Sequence, residues 1–288
     1  MKELTKGIYS NKWTESDLGE LVRVLINHDQ LRQTVLLDID GTLHQGFHDQ
    51  KLRGITNADI ALLLAVKGFF GGMNTKRFTK YVKDNIDLFR FEKEIPKEQK
   101  GAYERVLIER FAEILTGIPY VHFSSIARRM PERAYPLAKE GVQLTEGDKV
   151  IISKAIFPIS EAYKKYIGAI QAFGCNLEIE DKRIKGLSDD CIYTGQDKRD
   201  KALQVLYSTQ RVITIGDTLE DLSMGLLGRE MNPESLIIAM HRRSEEFDNE
   251  ADLAIDNWEA YQTLIETHKQ AYKENVISFR NAKKRMVW

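Results

Sequence analysis

Thr34-Val35-Leu36-Leu37-Asp38-Ile39-Asp40-Gly41-Thr42-Leu43 is the stretch on which the reading of this sequence turns. Thr34 to Ile39 is a short β-rich run that ends in Asp-Gly, the pattern of a buried strand entering a turn. In an open α/β sheet, ligands sit at the carboxyl ends of the strands. Two carboxylates separated by one residue there can project toward one cleft. Gly41 permits a sharp exit, and the Thr42 hydroxyl can fix the loop. A carboxylate can attack phosphorus and divide hydrolysis into two easier displacements. A second can protonate the leaving oxygen and later activate water. Alone, the pentapeptide Asp38–Thr42 reads as readily as a solvated Asp-x-Asp-Gly turn.

A second element breaks the tie. Gly216-Asp217-Thr218-Leu219-Glu220-Asp221 also follows a strand-like run, Val212–Ile215, and opens a helix. Asp217 and Asp221 are one helical turn apart, so both can face one cleft mouth. A hard divalent cation wants oxygen ligands, and phosphoryl transfer needs its charge neutralised. One such acidic motif is explained by helix capping, since acidic residues favour helix N-termini. Two, each at its own strand end, call for a shared site.

Outward from these motifs the chain divides. A helix is expected over Glu15–Asn27, with Leu18, Leu21, Val22, Leu25 and Ile26 on one side. Residues 44–148 are mostly helical in pattern, with periodic stretches at Asp59–Val66, Thr75–Phe89 and Ala102–Leu115, and breaks at Gly71-Gly72 and Gly117-Ile118-Pro119. From Lys149 strands and helices alternate. Strands are expected at Lys149–Ser153, Asn176–Glu180, Cys191–Tyr193, Val212–Ile215, Leu236–Met240 and Asp252–Ile255, with Arg183–Leu187 a turn or short ribbon. Helices are expected at Ile159–Phe173, Arg199–Ser208, Leu219–Leu227 and Trp258–Lys273. The fold class is therefore α/β, a Rossmann-like parallel sheet covered on both faces. Residues 1–43 and 149–288 form its core, and 44–148 an inserted all-helical domain. The basic segment Asn281–Trp288 reads as a loose tail.

The two acidic motifs resemble those of the haloacid dehalogenase (HAD) superfamily, whose pattern begins with DxDGT and ends with GDxxxD. That family also places a Ser or Thr at the end of a middle strand and a Lys before the last motif. Ser153, in Val150-Ile151-Ile152-Ser153, supplies the first, and Lys198, in Thr194-Gly195-Gln196-Asp197-Lys198, the second, with Lys201 its competitor. Read singly, a strand-end serine and a lysine at a helix start are ordinary features. The resemblance is closest to the phosphoserine-phosphatase-like branch, where a helical cap follows the first motif. It implies a phosphatase acting on a small phosphorylated metabolite through an aspartyl-phosphate. Asp38 would be the nucleophile, Asp40 the general acid and base, and Ser153 and Lys198 the phosphate-binding groups. Mg²⁺ would be held by Asp38, the backbone carbonyl of Asp40 and Asp217, with Asp221 a ligand through water or an anchor behind them. Asp40 separates the chain from dehalogenases and phosphonate hydrolases, which lack an aspartate there. A phosphotransferase or mutase on the same core, and a phospho-ligand sensor without turnover, are the rival readings.

Where phosphoserine phosphatases carry a glutamate that pairs with the substrate amino group, this chain has His44-Gln45-Gly46-Phe47-His48, which speaks against phosphoserine as substrate. Gly46 disfavours the helix on which His44 and His48 would share a metal, so the segment reads as a hinge loop at the substrate entrance. Phe69, Phe70, Lys76, Arg77 and Lys80 could meet the leaving group, although the phenylalanines suit a cap core and the lysines a solvated face. Arg128 and Arg129 could reach an anionic substrate. The formal net charge of -1 over 288 residues gives no reason to expect nucleic acid as a partner. The apolar run Ile60–Phe70, interrupted by Lys67, is too short to span a bilayer. The N-terminus lacks the apolar core of a signal peptide. Cys175 and Cys191 match no metal spacing and suit a reducing cytoplasm. Oligomeric state is open.

Overall fold

The computed structural model describes residues 1–26, 31–45, 56–67, 76, 78–80, 83, 97–208 and 210–269. Its centre is a sheet of eight strands: β1 (Lys2–Thr5), β2 (Ile8–Ser10), β3 (Gln33–Leu37), β4 (Asp148–Ile156), β5 (Gln171–Cys175), β8 (Arg211–Gly216), β9 (Leu236–Met240) and β10 (Leu253–Ile255). The order across the sheet is β1-β2-β10-β9-β8-β3-β4-β5. The six strands from β10 to β5 are parallel, and the β1–β2 hairpin is added antiparallel on the β10 edge. Every residue of β3, β8 and β9 is buried, as in a sheet covered on both faces, and most of them are apolar. The chain leaves β3 for β4 on one side and β8 for β9 on the other. The boundary between β3 and β8 is thus the topological switch point, where such sheets bind ligands.

Helices α1 (Leu18–Leu25), α6 (Phe157–Ile167), α7 (Gly195–Leu203), α8 (Leu219–Met231), α9 (Glu245–Glu250) and α10 (258–269) accompany the sheet. Between β3 and β4 the described residues hold α2 (Thr56–Val66), α3 (Lys97–Leu115), α4 (Tyr120–Ala127) and α5 (Ala138–Leu144). A two-stranded ribbon, β6 (Leu177–Glu180) with β7 (Arg183–Leu187), stands apart from the main sheet. It grips the end of α3: Gly117 N donates to Ile184 O at 2.8 Å, and Ile184 N to Ile118 O at 3.0 Å. One cluster of buried side chains runs from Val35 and Ile213 in the sheet to Phe111 and Phe123 in the helical segment.

Several expectations need correction. The helix expected to reach Phe173 stops at Ile167, because Gly168 takes the left-handed conformation (φ 75°) that ends helices. Gln171–Cys175 then forms β5, an edge strand that the helical reading had absorbed. Cys191–Tyr193, expected as a strand, is irregular, while Arg183–Leu187, expected as a turn or short ribbon, is a strand of the ribbon. The helix expected from Arg199 begins four residues earlier. Thr194 caps it, accepting from Asp197 N at 3.2 Å, while Asp197 Oδ2 accepts from Thr194 N at 2.8 Å. The N-terminal residues, which carried no expected strand, pair Tyr9 with Ala254 and Ile8 with Ile255. The expected helix Thr75–Phe89, the Gly71-Gly72 break and the tail Asn281–Trp288 lie wholly or mostly outside the described residues.

Candidate active site

Strand register brings the two acidic motifs together. Leu37 pairs with Ile215, and Asp38 N donates to Ile215 O at 3.2 Å, so Asp38 leaves β3 beside Gly216 and Asp217. After Ile39 the chain folds back at once, its carbonyl accepting from Leu43 N and His44 N, each at 2.9 Å. This tight loop is tied to α10, where Trp258 Nε1 donates to Thr42 O at 2.9 Å. The Thr42 hydroxyl reaches Asp217 Oδ1 at 3.5 Å. Asp38, Asp217 and Asp221 are all buried, and each offers a carboxylate oxygen within 4.8 Å of the others. Three converging hard oxygen donors fit a divalent cation such as Mg²⁺.

Lys198 supplies the balancing charge. Its ammonium donates to Asp38 Oδ1 at 2.9 Å and to Asp221 Oδ1 at 2.6 Å, across 160 and 23 residues of chain. The side chain has no exposed surface. Burial alone would push this lysine down, but Asp221, Asp38 and Glu220 together outweigh it and hold Lys198 above its ordinary range. Lys201 faces elsewhere, pairing with Asp190 Oδ1 at 2.5 Å on the exposed side. Of the two candidate lysines, it is Lys198 that reaches Asp38.

Asp221 does two jobs at once. Its Oδ2 accepts from Asp217 N and Thr218 N, both at 3.1 Å, and so caps α8, while its Oδ1 holds Lys198. This aspartate therefore caps the helix and faces the acidic cluster at the same time. Ser153 lies fully buried near the carboxyl end of β4, two residues beyond the Leu37–Ile151 pair. Asp40 is 8% exposed, and its Oδ1 accepts from Thr56 N, the first residue of α2, at 2.8 Å.

The sequence reading missed Arg243. It follows β9, its Nε lies 4.0 Å from Asp217 Oδ2, and its guanidinium donates to Tyr135 Oη at 2.5 Å. The strand-end rule, applied to β9 as it was to β3 and β8, points to this segment. His241 stacks on Tyr135 with ring centres 3.9 Å apart. Burial first, then Arg243, pushes His241 down to about 4. His44 is fully buried rather than part of an open hinge, because both ring nitrogens find partners inside the protein. His48, Phe69, Phe70 and Arg77 lie outside the described residues. Lys76, Lys80, Arg128 and Arg129 are exposed, and Arg129 pairs with Glu132 at 3.0 Å.

No family model matches the sequence, and no curated protein matches it. Solved structures do resemble it. A cytosolic 5'-nucleotidase IIIB bound to cytidine superposes with a TM-score of 0.61 at 14% identity, over 93% of this chain and 96% of its own. A substrate-bound phosphoserine phosphatase gives 0.56 at 16% identity, over 81% and 97%. A HAD family hydrolase from Salmonella enterica serovar Typhi gives 0.54 at 15% identity, over 79% and 69%. The α/β fold expected from the sequence is thus the fold of HAD-type phosphatases.

Proposed function

We propose that this chain, built on the HAD phosphatase fold, is a Mg²⁺-dependent phosphatase that hydrolyses a small phosphomonoester through an aspartyl-phosphate on Asp38. The observation that carries the reading is the convergence of Asp38, Lys198, Asp217 and Asp221 at the β3/β8 switch point. Such a buried set is costly to fold unless the charges are used.

In the first step a carboxylate oxygen of Asp38 attacks phosphorus and the ester P–O bond breaks, the leaving oxygen taking a proton from the Asp40 carboxyl. In the second, water attacks phosphorus, Asp40 receives its proton, and Asp38 departs as carboxylate with release of phosphate. Lys198 holds one oxygen of Asp38 in place and offsets negative charge on the transferring group. Ser153 would donate its hydroxyl to a phosphoryl oxygen. Mg²⁺, held by Asp38, the Asp40 carbonyl and Asp217 with Asp221 behind them, would neutralise phosphate charge. The helical segment within 44–148 would serve as the cap that excludes bulk water. The relatives named as a phosphoserine phosphatase and a 5'-nucleotidase support a substrate of metabolite size. The free thiols of Cys175 and Cys191 suit the cytoplasm.

The test is phosphate release from 4-nitrophenyl phosphate with and without Mg²⁺, for the wild type and Asp38→Asn. Turnover that needs the metal and disappears in the variant is expected. Activity that survives in Asp38→Asn would refute the mechanism.

A further inference from the structure

The first turn of α2 enters the protein interior with its polar side chains, against the usual preference for solvent. Thr56, Asn57 and Asp59 are 0%, 6% and 4% exposed. Each has its own tie to the core side of the cleft. Thr56 N donates to Asp40 Oδ1 at 2.8 Å, and Asn57 Oδ1 accepts from Ile156 N, at the end of β4, at 3.4 Å. Asp59 Oδ2 meets His44 Nε2 at 2.7 Å.

His44 is fixed from its other side. Its Nδ1 lies 2.7 Å from Tyr163 Oη on α6, and Tyr163 in turn donates to Met130 O at 3.3 Å. The Tyr163 hydroxyl thus bridges the imidazole of His44 and the Met130 carbonyl. Tyr163 itself stays a neutral phenol, since burial first, then Asp40 and its neighbours, raise it well above its ordinary value. The result is a chain from Met130 through Tyr163, His44 and Asp59 to the turn of α2 whose amide holds Asp40. Every side chain in it is buried, so breaking one link leaves a polar group without solvent to replace its partner.

We infer that His44, Asp59 and Tyr163 form a buried latch that seats the first turn of α2 against Asp40, making His44 and Asp59 positioning residues for proton transfer to the leaving group. The inference rests on the reading of Asp40 as the proton carrier. A proton donor works only within hydrogen-bond reach of the leaving oxygen. The latch sets that geometry through the Thr56 amide, while Asp38 and Lys198 are held by other elements.

The signature of a misplaced acid is selectivity for the leaving group. A good leaving group departs without help, and a poor one needs the proton. The experiment compares kcat/KM for phenyl phosphate and 4-nitrophenyl phosphate, which have similar shapes and different leaving-group acidities. The variants are Asp59→Leu, which cuts the latch, and Thr56→Pro, which removes the amide donor together with the buried hydroxyl and suits a helix start. Asp59→Asn, whose amide can either donate to or accept from His44 Nε2, is the conservative control. Both breaking variants should lose on the order of ten-fold with phenyl phosphate and far less with 4-nitrophenyl phosphate. Asp59→Asn should keep the wild-type ratio of the two. Parallel loss on both substrates, or no loss on either, overturns the latch. If Asp59→Leu fails to fold, Tyr163→Phe, which keeps the ring and cuts the link to His44, takes its place. Asp40→Asn separates the two levels. A selective loss there without one in the latch variants refutes the latch only. No selective loss in Asp40→Asn refutes the role of Asp40 and the latch with it.

Discussion

Replacing Lys198 with methionine removes one buried cation and little volume, so it isolates the charge. In the wild type the ammonium satisfies Asp38 Oδ1 at 2.9 Å and Asp221 Oδ1 at 2.6 Å, with no exposed surface on the lysine. Taking one partner from a buried ion pair leaves an uncompensated charge and costs about 3–5 kcal/mol. The unfolding entropy of 288 residues is about 0.6 kcal/mol per kelvin. The metal-free variant should therefore melt about 5–8 °C below the wild type. Lys198 is held above its ordinary value of 10.5. A group raised in the folded state stabilises fully below its unfolded value and loses that contribution only as pH climbs beyond it. The gap in Tm should accordingly be flat between about pH 7 and 9. Mg²⁺ should raise the Tm of the variant more than that of the wild type, because a more negative site binds the cation more tightly. Activity should fall by about 10²–10³ in kcat, the usual effect of removing one preorganised charge at a reacting centre. The assays are thermal unfolding with and without Mg²⁺ and steady-state kinetics. A loss in Tm below about 2 °C together with wild-type kcat would refute the reasoning.

Two further perturbations test the frame and the periphery. A Cβ on Gly216 would lie 2.4 Å from Asp221 Cβ, Cγ and Oδ2. Gly216→Ala should therefore push the anchor and Lys198 aside, costing about 1–3 kcal/mol and on the order of ten-fold in kcat; an unchanged kcat would show that Asp221 does not position the lysine. At Asp248, burial chiefly, opposed by Arg242 and aided by Asp256 and Glu245, raises the carboxyl from 3.8 to about 6. The folded state then binds this proton more tightly than the unfolded one, so the penalty is full above about pH 6 and vanishes below about pH 4. Asp248→Asn should raise Tm at pH 7.5 and leave it unchanged near pH 4; equal gains at both values would assign the effect to something other than this charge.

The parts of the fold that were legible in sequence are those whose pattern has a local cause. Strands β3, β8 and β9 are buried over their whole length and mostly apolar, with polar residues few and at the starts of β3 and β8 or at Thr214, and such runs announce themselves. Strand β5 does not. Gln171 is exposed and Phe173 half-buried at the sheet edge, so the run carries no continuous apolar signal, and only Gly168 marks the end of the preceding helix. The β1–β2 hairpin is similarly hidden: its strands are short and half polar, and their partner, β10, lies at the far end of the chain. The site followed the same division. Asp38, Asp40, Asp217 and Asp221 sit in two short motifs at strand ends, where spacing alone suggests a shared cleft. Arg243, Asp59 and Trp258 come from three distant segments, and no local pattern links them to Asp38. Their roles exist only after β9, α2 and α10 have packed.

That packing ties stability to chemistry more closely than the motifs suggest. Asp221 caps α8 with one oxygen and holds Lys198 with the other, so the force that starts the helix also fixes the lysine at Asp38. Gly216 is required because the capped turn lies against the end of β8, leaving no room for a side chain. On the opposite side, Trp258 of α10 donates to the Thr42 carbonyl and sets the loop from Asp38 to Thr42 from behind. Asp38, the proposed nucleophile, is thus held by the sheet, Lys198 by a helix cap, and Asp40, the proposed proton carrier, by α2. A change in the seating of α2 can then alter proton transfer while leaving the attack on phosphorus intact. This separation is why leaving-group selectivity, rather than loss of activity alone, is the measurement that distinguishes the three supports.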